Sequence, residues 1–113
     1  MGNWTLDTID WGRFDASKVD PEILRNIKAA AMVERNGGDY GIYLGRVFAD
    51  DPAFVADVQR WVGEEIQHGM ALGRWAQLAD PSWDFDAASR ASAPAISCRS
   101  APPNRRAAAR PAR

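Results

Sequence analysis

The chain has little of what disulfide stapling, export or membrane anchoring would need. Cys98 is the one cysteine among 113 residues, so neither an intrachain disulfide nor a cysteine-cluster metal site can form, which fits a reducing, cytoplasmic setting. The N-terminus lacks a basic start followed by an apolar run, and nowhere do about 18 apolar residues follow one another. Neither a signal peptide nor a membrane partner is therefore expected. No internal repeat and no dinucleotide-type glycine fingerprint occurs. Histidine is found once, at His68; beyond Asp86 there is no Asp, Glu or His, and beyond Phe85 no aromatic residue.

What is present divides sharply. A hydrophobic content of 46% is that of one small folded domain. The formal net charge of −1 hides a split: residues 1–88 carry eight basic against fifteen acidic groups, a net of −7, and six arginines follow Asp86. An acidic body argues against phosphate-backbone binding. The arginines of the tail have no aromatics between them, so no specific nucleic-acid partner is expected.

Residues 1–19, with isolated aromatics and no period of 3.6 or 2, read as an irregular arm in which Trp4, Ile9, Trp11 and Phe14 cover a helix surface. Asp20, Pro21 and Glu22 form a helix start, predicting a helix over about 21–48 whose weak point is the Asn-Gly-Gly at 36–38. Asp51 and Pro52 repeat that chemistry and predict a second helix over about 52–79, ending before the next Asp-Pro. The very short connection makes the two antiparallel neighbours. The expected fold is an all-α, antiparallel two-helix hairpin over residues 20–86, with a disordered Ala/Arg/Pro/Ser-rich tail at 87–113.

The chemistry lies where the second helix should be greasy. Alternating steps of four and three place Phe54, Val58, Trp61, Glu65, His68, Leu72, Trp75 and Ala79 on one inward stripe, with Glu64 set outward. The same spacing on the first helix places Glu34 inward along Ile27, Ala31, Glu34, Gly38, Gly41, Gly45 and Phe48. At about 1.5 Å per residue, Glu34, Glu65 and His68 lie roughly 25, 22 and 26 Å from the turn, so they come level. A Glu from one helix with Glu-x-x-His from its neighbour is half of the ligand set of a carboxylate-bridged metal pair in a four-helix bundle. Iron or manganese suits such donors, and zinc also accepts them. The plainer alternative is a hydrogen-bonded core histidine beside two unrelated acids. No Lys or Arg stands on the inner stripes to neutralise those acids, which favours the metal reading.

The stretch "RWVGEEIQHGMALGRWAQLAD" resembles the W-x-x-E-E-x-x-H-G-x-x-L helix of soluble acyl-acyl-carrier-protein desaturases and, more broadly, of ferritin-like di-iron proteins. Glu34 in "AAAMVERNGGDYGIYL" matches the glutamate of their preceding helix. The resemblance covers about residues 20–86. It implies half of a ferritin-like four-helix bundle, an oxygen-activating di-iron oxidoreductase lineage, and Glu34, Glu65 and His68 as ligands to two irons per complete site. The chain departs from the family in lacking the second pair of helices with its Glu and Glu-x-x-His, since no Glu, Asp or His follows Asp86, so one monomer cannot complete a two-metal site. A homodimer or another helical hairpin is the partner this implies; the alternative is a non-catalytic truncated fragment or helical self-association module without metal. The tail after about residue 88 has the composition of GC-rich DNA read out of frame, so a frameshift that removed the second half is expected, with a genuine arginine-rich tail as the alternative.

Overall fold

A computed structural model describes residues 3–91, and within them the chain is all-helical, with no strand. Three single turns of 3-10 helix, Leu6–Thr8, Trp11–Arg13 and Ala16–Lys18, make up the arm. Four α-helices follow: α1 Pro21–Arg35, α2 Gly37–Val47, α3 Pro52–Ala79 and α4 Phe85–Ala91. The expected disorder of the tail at 92–113 lies outside the described residues. Among the described residues no helix is long and apolar enough to cross a membrane.

The helix starts are built as their residue types dictate. The Asp20 carboxylate accepts the Glu22 and Ile23 N–H groups at 2.8 and 3.2 Å, and that of Asp51 accepts the Phe54 N–H at 3.0 Å. Each satisfies N–H groups that the first helical turn leaves unpaired, while proline occupies the first helical position. Phe48 and Phe54 close the connection between α2 and α3, their ring centroids 4.7 Å apart.

Two expectations need correction. The helix expected over 21–48 is two helices, α1 and α2, separated by Asn36. Asn36 adopts φ −85° and ψ 11°, which breaks the ladder without reversing the chain, and among the described residues none takes a positive φ. Glycine follows because of proximity: a Cβ on Gly37 would stand 3.2 Å from the Glu65 Cβ. The second correction is α4, which carries the helical body to Ala91 where the tail was expected to begin at 87. The Asp84 carboxylate caps it, accepting the Ala87 N–H at 3.0 Å, and Phe85 anchors it, only 3% exposed.

α1 and α2 pack in succession along α3 and run against it. Lys28 meets Asp80, the end of α1 meets Gly69, Gly41 meets Val62, and Phe48 meets Phe54. The buried positions of α3 are Val58, Gly69, Gly73 and Ala76; Gly69 meets the end of α1 and Gly73 the Phe85 ring of α4. Of the eight-residue stripe read from the heptad spacing, Val58 alone is buried, while Phe54 and Trp61 remain 38% and 41% exposed. The packing face is turned from that stripe by roughly 70° at 100° per residue. Heptad counting follows large side chains, whereas here glycines make the contact: a Cβ on Gly69 would lie 2.5 Å from the Arg35 backbone nitrogen, and one on Gly73 would overlap the Phe85 ring.

Candidate metal centre

Glu34 stands one residue before the end of α1, and Glu65 and His68 stand one turn apart on α3. Their level is set by Gly69, whose missing side chain lets the Glu34–Arg35 backbone come down onto α3 directly beside His68. One ligand atom from each of Glu34, Glu65 and His68 lies within 4.8 Å of the others, the one such group of histidine, cysteine or acidic residues among the described residues. Glu64 is exposed and stands apart from them, as its place on the helix requires.

The distances within the trio are those of loose ion pairs. Its Nδ1 is 3.6 Å from Glu65 Oε1 and 3.7 Å from Glu34 Oε2. Both separations exceed those of a hydrogen bond. Glu34 Oε2 is shut off from solvent and has no hydrogen-bond partner. A buried carboxylate oxygen left this way costs on the order of 1–3 kcal/mol or more. Two carboxylates and an imidazole thus converge on a common point, in contact at ion-pair distance and without a hydrogen bond among them.

Nearby cations are engaged elsewhere. Lys28 pairs with Asp80 at 2.7 Å, Arg35 with Asp86 at 2.5 Å, and Arg60 with Asp57. Arg74 lies over the Trp11 ring, 4.7 Å from its centroid. Among the described residues neither Glu34 nor Glu65 has an ion pair with Lys or Arg. The donor set, two carboxylates and one imidazole with an orphaned buried oxygen, fits a divalent cation of the iron, manganese or zinc type. It supplies three protein ligands, fewer than a metal pair requires.

The N-terminal arm contributes a feature that periodicity did not reveal. Trp4 stacks on the His68 ring, centroids 5.9 Å apart and planes 11° from parallel, while the Gln67 side-chain amide donates to the Trp4 carbonyl at 2.6 Å. Trp11 Nε1–H donates to the Leu6 carbonyl at 2.9 Å, and Phe14 meets the Trp75 ring edge-on at 6.0 Å. The arm thus runs along α3, with Trp4 stacked on the imidazole. The signal available in sequence was aromatic identity alone; the pairing of Trp4 with residue 68 had none. Comparison with family models, with curated proteins and with solved structures returns no match.

Proposed function

We propose that the chain carries one half of a ferritin-like di-metal site, with Glu34, Glu65 and His68 as its ligands, and belongs to an oxidoreductase lineage that uses iron. The observation that carries this is the convergence of three donor atoms within 4.8 Å around a carboxylate oxygen that is buried and without a hydrogen bond. Glu65 and His68, one turn apart, reach the same cation, and Glu34 serves as a terminal or bridging ligand from the facing helix. When bound, an iron pair would supply oxygen activation. The chain's own residues hold the ions, Trp4 fixes the imidazole plane, and Gly69 sets the helix separation. Helices α1 and α2 against α3 then make up half of a four-helix bundle, with the remaining ligands coming from a second half.

Metal analysis after anaerobic loading with Fe(II) and desalting tests this. The expected result is about one retained iron per chain, lost in Glu65→Ala and in His68→Ala while helix content by circular dichroism is unchanged. Equal retention by the variants, or no retention by the parent chain, would overturn the proposal.

One set of observations favours a second reading, a metal-free fragment or self-association module. Phe54 and Trp61 on one face of α3, and Ile66 and Met70 of α3 and Ile42 of α2 away from that face, are all more than a third exposed, apolar surface that seeks partners with or without a cation. The two readings part on whether metal is bound at all.

A further inference from the structure

The trio opens outward. Its side chains keep 30%, 24% and 43% of their surface for Glu34, Glu65 and His68, although the one Glu34 oxygen is shut in. Toward the α2–α3 connection the same face continues as an apolar cleft of about 290 Å³, lined by Leu44, Phe54, Val58 and Trp61 with Asp57 at its rim. Trp61 stands one turn before Glu65, so ligand set and cleft form one surface.

We infer that a second copy of this chain seats on this surface, and that a divalent cation held between the two trios drives the association. This rests on the metal reading proposed above and names its partner. An isologous contact lays the same patch on itself, so each copy contributes Glu34, Glu65 and His68 to a set neither completes alone. The surface is self-complementary in its apolar part, where Phe54 and Trp61 of each copy leave solvent together. In its charged part it is not: the contact brings four carboxylates together with no Lys or Arg on the α3 stripe to offset them. Like charges a few ångströms apart oppose association unless cations lie between them. Apolar burial therefore favours the dimer, the carboxylates resist it, and metal decides the balance.

Sedimentation velocity on the full chain at neutral pH, with EDTA or with Co(II), tests the inference when combined with metal analysis of each species. The expected result is at least a tenfold tighter dimer with Co(II) than with EDTA. Trp61→Lys should stay monomeric in both while keeping its helix content, and Glu65→Gln should lose the response to metal. A dimer of equal strength in EDTA overturns the inference, and so does Co(II) held by a chain that stays monomeric, a result that leaves the metal reading standing. Co(II) bound by no species overturns both.

Discussion

At the scale of single residues the site and its support differ in how far they could be read. Glu34, Glu65 and His68 were legible because carboxylates and an imidazole interrupt an apolar rhythm, and the rise per residue is enough to place them level. The residues that bring them within reach were not legible, because a glycine carries no sign of what fills the space it leaves. Gly69 and Gly63 lie on the same helix and differ only in surroundings. A Cβ at Gly69 would stand 2.5 Å from the Arg35 nitrogen and 2.9 Å from its Cα, both backbone atoms, whereas one at Gly63 meets nothing within 4 Å. Gly63→Ala should therefore stabilise the chain by about 0.5–1 kcal/mol through helix propensity. Gly69→Ala should destabilise it by about 1–2 kcal/mol, since overpacking costs about 1–3 and propensity returns a part. Urea midpoints of the two variants measure this; a stabilised Gly69→Ala would mean that α1 is free to move away from α3.

Among the elements, the starts at Asp20 and Asp51 were readable since capping is local chemistry, whereas the first helix, expected unbroken over 21–48, divides at Asn36, at the Asn-Gly-Gly weak point. Where the chain goes after α3 depends on a contact 52 residues apart in sequence, between Lys28 of α1 and Asp80. Asp80 closes the end of α3: one carboxylate oxygen takes Lys28 at 2.7 Å, and the other takes the Ser82 hydroxyl at 2.6 Å and its N–H at 3.2 Å. The Lys28 hydrogen bond foremost, and then that of Ser82, holds the Asp80 carboxyl below the usual carboxylate range. In the window between its lowered folded value and its ordinary unfolded value, the unfolded chain binds more protons, so stability rises with pH. The contribution is complete above the ordinary carboxylate range and is lost as pH falls through the folded value. Melting temperatures taken from pH 7 down to pH 3 should accordingly drop less steeply for Asp80→Asn than for the parent chain, and the variant should already be the less stable of the two at pH 7. Parallel acid limbs would show that Asp80 protonates alike in both states.

At the scale of the whole molecule, the described residues have a thin interior, and that decides which losses they can bear. Among the described residues the buried apolar side chains are Ala31, Val58, Ala76 and Phe85, three of them small, so the one aromatic ring among them carries an outsized share. Composition placed Phe85 at the edge of the body, because acids and aromatics stop there, yet the ring fills the notch above Gly73 and ties α4 to the other helices. Trp83 lies 5.5 Å from it, and the Arg35 guanidinium is 4.9 Å from its centroid while pairing with Asp86. Phe85 and Asp86, neighbours in α4, offer a comparison between apolar packing and charge. Asp86 is 62% exposed on its side chain, so the ion pair is screened and Asp86→Ala should cost less than about 1 kcal/mol. Phe85→Ala removes a ring that is 3% exposed, and should cost about 3 kcal/mol, the lower part of the range for buried phenylalanine since α4 can settle onto Gly73. Against a stability of about 5–15 kcal/mol for a small domain, that is a large fraction. Equilibrium urea unfolding of both variants should give a much lower midpoint for Phe85→Ala and a nearly unchanged one for Asp86→Ala. The reverse order would mean that α4 is held by charge, and that the packed body ends at α3.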